Sequence, residues 1–174
     1  LITNNLITNL QMISEKDIWS ALEEVMDPEI PTISMVDLGI ITGVTVKDNG
    51  NSVKVDMTPT FSGCPALRVM EEMVKERLQK MEIPHIEVET TFDVAWTTDR
   101  ITEKGRQALL KHGLAPPVEK KDGYIELDVL SDVACPHCGS RNTEMKTPFG
   151  PTLCRAMHYC NNCLQAFEQF KPVF

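Results

Sequence analysis

Residues 40–66 read IITGVTVKDNGNSVKVDMTPTFSGCPA, and the fold turns on how this run is parsed. IITGVTV and SVKVDMT are both β-branched and flank DNGN, whose Asn49-Gly50 pair accepts positive φ, so the run predicts a β-hairpin. Val53, Val55 and Met57 then share one face. Downstream, residues 65–81 set Leu67, Met70, Met73, Val74, Leu78 and Met81 on a helical stripe that would cover that face. Methionines at this spacing read as core filler.

On the N-terminal side, Ser14 precedes Glu15, Lys16 and Asp17, a capping box with Asp in the usual Glu or Gln position. Ile18, Trp19, Leu22, Val25 and Met26 follow at helical spacing, which predicts a helix from about 15 to 26. DPEIP stops it, since Pro28 and Pro31 remove donors and push the preceding residues toward extended backbone. On the C-terminal side, HIEVETTFDVAW alternates with Ile86, Val88, Phe92, Val94 and Trp96 on one side and predicts a third strand running to Trp96. The order α-β-β-α-β makes an open α+β sandwich. Residues 102–112 predict a short helix opened by Thr102 and stopped by Gly113, and APPVEKKDG is linker-like. The expected organisation is a tail at 1–13, an α/β domain at 14–114, a linker at 115–130 and a small module at 131–174.

At 174 residues the chain can bury one full core and carry one satellite. Hydrophobic content of 42% and charged content of 24% are ordinary for a globular chain, and no apolar run approaches the roughly 20 residues of a membrane span. The opening LITNNLITNLQMIS has no basic region or small-residue cleavage site and repeats LITN, so it reads as a non-signal tail, with Met12 an internal start. The net charge of −8 is concentrated, since residues 14–97 hold sixteen acids against seven bases. A phosphate-binding surface needs clustered Lys and Arg, which excludes nucleic acid as a partner of that domain. Six cysteines without a secretory signal point to a reducing compartment, the cytoplasm, and to metal or thiol chemistry.

The strongest motif lies in the satellite. Cys135-Pro136-His137-Cys138-Gly139 and Cys160-Asn161-Asn162-Cys163 are two C-x2-C pairs separated by 21 residues. Two residues between thiolates let one tight turn present both sulfurs to a tetrahedral ion, and Gly139 can adopt the left-handed conformation that turns amides toward sulfur; the second knuckle has Leu164 there. The reading is one structural zinc on Cys135, Cys138, Cys160 and Cys163, with rubredoxin-like iron or four unligated thiols as alternatives. Such a module should unfold on chelation by itself. Cys154, in FGPTLCRAMHYC, is left over, either a small buried hydrophobe inside the ribbon or a second functional thiol. His137 and His158 read as surface or supporting residues rather than ligands.

Cys64 stands between Gly63 and Pro65, where strand gives way to helix. With Pro65 as first helical residue it becomes the N-cap, beside orphan amides and the positive end of the helix, which favours thiolate and a lowered pKa. The alternative is a cysteine packed beneath the hairpin. A phosphatase loop would need Arg six positions on, where Met70 stands, and Arg68 comes too early. A dithiol redox site would need Cys at Leu67, and acyl transfer a histidine base nearer than His85. What remains is a thiol among acids and hydroxyls, namely Asp27, Glu29, Asp37, Thr58 and Thr60. These are candidates for transient binding of iron or zinc, or a persulfide-type handoff; solvated loop acids are the plainer alternative.

At these residues the chain resembles a known family. DPEIPTISMVDLG followed by T-x-T-x-x-G-C-P is similar to the small α/β iron–sulfur assembly domain of SUF-associated bacterial proteins and eukaryotic cytosolic iron–sulfur targeting factors, over residues 14–97. GRQALLKHGLAPP, then CPHCGS and FGPTLCRAMHYC, resembles one subgroup, the zinc-ribbon-bearing accessory subunit of the phenylacetyl-CoA oxygenase (ring-epoxidase) complex, although Pro151 replaces that subgroup's usual small polar residue. The resemblance implies an accessory chain, not the oxygenase itself, assisting assembly of iron–sulfur or diiron centres in phenylacetate degradation. It implies the oxygenase and reductase subunits as partners, together with iron–sulfur assembly proteins, and a transient iron or iron–sulfur cargo beside the zinc. The family's Asp-Pro-Glu carries over to Asp27, Pro28 and Glu29, its Asp-Leu-Gly to Asp37, Leu38 and Gly39, and its threonine-cysteine loop to Thr58, Thr60 and Cys64. Two other functions compete: a protein-binding scaffold with a structural ribbon, and a cysteine enzyme acting on a CoA thioester. The oligomeric state, a homo-oligomer included, is open.

Overall fold

The computed structural model describes residues 12–118 and 133–173. Most of the expected tail and of the expected linker lies outside the described residues.

The first lobe follows the expected order. Helix α1 (Glu15–Leu22) opens on the complete capping box, in which Ser14 Oγ accepts from Asp17 N and Asp17 Oδ2 accepts from Ser14 N at 2.9 Å. Strands β1 (Ile41–Lys47) and β2 (Ser52–Met57) are antiparallel, with Lys47 opposite Ser52 across a turn where Asp48, Asn49 and Gly50 all have positive φ. Helix α2 (Leu67–Gln79) crosses over to β3 (His85–Thr90), which lies parallel to β2 and gives the order β1-β2-β3. Val53, Val55 and Met57 face Met70, Val74 and Leu78 in one buried cluster, as the periodicities require.

Two boundaries differ from the sequence expectation. Helix α1 ends at Leu22, four residues before Met26. Glu24 N and Val25 N bond back only three residues, to Ala21 O and Leu22 O, and the chain then goes extended because Asp27 N pairs with Ile33 O and Met35 N with Val25 O. Tertiary pairing overrides the helical stripe. Strand β3 stops at Thr90, and Phe92 and Val94 are 56% and 58% exposed. Its partner β2 ends at Met57, so nothing remains to continue the ladder beyond Thr91 N, which bonds Met57 O. Trp96 is buried nonetheless, its indole N–H donating to Leu38 O at 3.1 Å.

Helix α3 (Glu103–His112) is capped by the Thr102 hydroxyl, which accepts from Gly105 N, and ends on Gly113 at φ 86°. The chain then enters a second sheet. Strand β4 (Leu114–Ala115) pairs in parallel with β7 (Ala166–Phe170), which continues antiparallel through β6 (Arg155–Cys160) to β5 (Thr143–Thr147), in the order β4-β7-β6-β5. Phe170 inserts into the first lobe's core, 5.9 Å from the Trp96 ring, and Thr98 N donates to Val173 O at 2.9 Å. No described helix is long and apolar enough to cross a membrane.

Candidate functional site

The two C-x2-C turns close on each other. The sulfurs of Cys135, Cys138, Cys160 and Cys163 all lie within 4.8 Å of one another, with Cys135···Cys163 at 3.7 Å and Cys138···Cys160 at 3.6 Å. A tetrahedral zinc with bonds of about 2.3 Å holds its sulfurs about 3.8 Å apart, so the donor set fits the ion. The knuckles are built alike: Gly139 N donates to Cys135 O and Leu164 N to Cys160 O, both at 2.9 Å, with φ of 74° and 60° at the two αL residues. The amides of Cys163 and Asn162 point at the Cys160 sulfur and lower its pKa, which favours the thiolate form that a metal binds. Four thiolates close the coordination shell, and the chemistry there is structural. His158 is spent inside the sheet, stacked on Phe167 with Nε2 3.1 Å from Gln169 Oε1, while His137 is exposed on the first knuckle.

A second thiol site lies where the lobes meet. Cys64 sits in the turn before α2 rather than at its N-cap, which is Ala66. Its sulfur still accepts from Ala66 N–H, but this does not make it acidic. Burial pushes the thiol up, with Glu29, Cys154 and Asp27 adding to the rise, which reverses the lowered pKa expected of an N-cap cysteine. The loop Phe61–Pro65 faces the ribbon loop Gly150–Cys154 across a cavity of about 330 Å³ also lined by Glu29 and Thr60. Cys154 does not pack inside the ribbon; it is half-buried against the first lobe's core, its sulfur 3.1 Å from Thr152 Oγ1. Arg155 follows, buried, bonded through Nη1 to Glu168 Oε2 at 2.9 Å and 3.8 Å from Glu29 Oε2.

The remaining candidates divide. Glu29, Thr60 and Cys64 share the cleft, and Asp27 is near enough for its charge to act on the thiol. Asp27 shapes the loop: its Oδ1 accepts from the amides of Glu29 and Ile30 at 2.9 and 2.8 Å, and burial raises its pKa against those bonds. Asp37 stands apart, accepting from Ser34, Thr102 and Lys104 at 2.9, 2.8 and 3.0 Å. Burial opposes its charge, but these donors outweigh it and hold the carboxyl below its usual value. Thr58 is buried along a different cavity with Thr42, Lys54 and Asp56. The sequence reading did not single out Arg155 or Thr152. The signal was the leftover Cys154 inside FGPTLCR, a loop-like run one strand before the second knuckle.

Comparison with known proteins matches the two lobes to two separate family models. Residues 15–90 match the family model described as an iron-sulfur cluster assembly protein, and residues 122–171 match the PaaD zinc beta ribbon domain. The chain is 34% identical over 157 residues to a putative 1,2-phenylacetyl-CoA epoxidase component of Escherichia coli, covering 90% of this chain and 92% of that one. It is 31% identical over 96 residues to the Fe-S protein maturation auxiliary factor YitW of Bacillus subtilis, covering 55% of this chain and 92% of the relative. A crystal structure of a domain of unknown function, DUF59, from Bacillus anthracis superposes with a TM-score of 0.51 at 32% identity, over 55% of this chain and 90% of that one.

Proposed function

The chain belongs to the PaaD family of iron–sulfur assembly accessory proteins, which carry a C-terminal zinc ribbon, and from that premise we propose that it matures the metal centres of a multicomponent phenylacetyl-CoA oxygenase. It does so as a non-catalytic component. Its partners are the oxygenase and reductase subunits and the iron–sulfur assembly proteins that load it. Iron, or a small iron–sulfur cluster, is cargo in transit.

The observation that carries this reading is the cleft at Cys64. A soft thiol, the Glu29 carboxylate and the Thr60 hydroxyl meet in one open cavity, a donor set that suits a borderline cation. No histidine lines that cavity among the described residues, which leaves the thiol without the base that acyl transfer to CoA thioesters needs. Phe61 and Leu153 on its walls and Phe149 nearby are 41%, 53% and 68% exposed, an apolar rim suited to docking a recipient protein.

The test is to reconstitute epoxidation in cells with the parent chain, without it, and with Cys64→Ser. Serine keeps an acceptor for Ala66 N–H, so the variant should melt within about 1 kcal/mol of the parent while turnover falls toward the level without the chain. A variant that restores full turnover leaves Cys64 without a role. If the purified parent alone oxidised an aromatic CoA ester, the accessory reading would be wrong.

A further inference from the structure

Resting on the reading of the cleft as a cargo site, we infer that the ribbon is itself part of that site: Cys154 and Cys64 form a two-lobed dithiol, with Glu29 as oxygen donor, that takes a borderline divalent cation such as ferrous iron. Each thiol comes from a different lobe, yet both line the same cavity and both are half-exposed, whereas a cysteine kept only for packing is buried in full. Cys64 Sγ accepts from the Ala66 amide, and Cys154 Sγ lies 3.1 Å from the Thr152 hydroxyl, which is free to donate to it once a cation has displaced the thiol proton; such bonds stabilise a thiolate.

Charge and donor chemistry point the same way. Once deprotonated, the two thiols and the Glu29 carboxylate outweigh the neighbouring Arg155, which is already bonded to Glu168, and a dication supplies the balance. The donor set differs from the ribbon's in kind. Four thiolates in the ribbon leave no free position, while two sulfurs and one oxygen leave at least one place for an incoming ligand from a partner. One chain thereby holds a closed metal centre that stays and an open one that exchanges. Binding replaces two S–H protons with two S–metal bonds and releases both protons to solvent, with no change in oxidation state.

The experiment uses the full-length chain with its ribbon saturated with zinc, titrated anaerobically with cobalt(II), whose sulfur-to-metal charge-transfer band reports thiolate ligands. The parent should bind one cobalt per chain with zinc retained. Cys64→Ser and Cys154→Ser should each lose about half the band and bind at least about tenfold more weakly, and the double variant should lose the band. A Cys154→Ser chain with the parent's band and affinity, beside a Cys64→Ser chain that has lost both, overturns the two-thiol site and leaves the Cys64 cargo reading standing. A Cys64→Ser chain that binds like the parent overturns both. A test without variants guards against misfolding. A monosubstituted arsenoxide, R–As=O, condenses with two nearby thiols to R–As(SR)2 and water, and peptide mapping of the zinc-loaded parent should find it bridging Cys64 and Cys154. A parent chain with no such bridge overturns the inference.

Discussion

Single residues here act through what their neighbours impose on them. Leu164 occupies a left-handed backbone position, φ 60°, that Gly139 fills in the sister knuckle, and its side chain is 68% exposed, so it packs against little. Leu164→Gly should therefore stabilise the zinc-bound chain by about 0.5–1 kcal/mol, the relief of αL strain less the added freedom of the unfolded backbone. Denaturant unfolding of the zinc-loaded protein checks this, and a loss of stability would mean that packing of the leucine outweighs its strain. Cys64 is held protonated by burial and by Glu29, Cys154 and Asp27, so its alkylation by iodoacetamide should climb with pH only above the ordinary thiol range of about 8.5. A midpoint below that value would restore the helix-start account. The residue type and place of Cys64 were legible in the sequence. The sign of its shift was not, because the burial that sets it, with Glu29 and Cys154 adding to it, comes from loops remote in the chain.

Among the elements, the hairpin, α2 and both ends of α3 could be read in advance because their signals are local: β-branched runs about Asn49-Gly50, a helical stripe, and Thr102 and Gly113 as caps. The ends of α1 and β3 could not, since each is set by a partner strand or bridge supplied from elsewhere. Asp37 shows how an acid in a familiar motif can serve an element. It accepts from Thr102 and Lys104 at the start of α3 and from Ser34 in its own loop. Its folded pKa is depressed, so it contributes stability above the unfolded value of about 3.9, and this is lost as pH falls through the lower folded value. Asp37→Asn should cost about 1–3 kcal/mol at neutral pH and flatten the acid limb of the stability curve. Melting of parent and variant from pH 7 to pH 3 tests both parts, and an unchanged acid limb would remove Asp37 as its source. Gly39 completes the motif at φ 73°, where a Cβ would lie 2.4 Å from Arg100 Cβ, so Gly39→Ala should displace the segment before α3 and lower the melting temperature markedly.

At the scale of the whole molecule, the zinc motif alone pictures a ribbon that can unfold by itself, and the packing changes that expectation. Phe170 is 2% exposed in the first lobe's core, and β4, which follows α3 directly, pairs with β7. Chelating the zinc should therefore loosen the first lobe too, seen as a red shift of Trp96 emission in a Trp19→Phe background, and Phe170→Ala should cost about 3–5 kcal/mol. Ribbon melting with Trp96 undisturbed would show the lobes to be uncoupled. Strand β6 gives this coupling a direction. It runs from Arg155, beside the cleft thiol Cys154, to Cys160, a zinc ligand, so the six residues of β6, about 20 Å of extended chain, join the two sites. Paired with β5 on one side and β7 on the other, it is held at both of its ends by the same sheet. If the cleft carries iron as proposed, a chain short of zinc would lose the strand that sets Cys154 in place, tying the supply of one nutrient metal to the use of another.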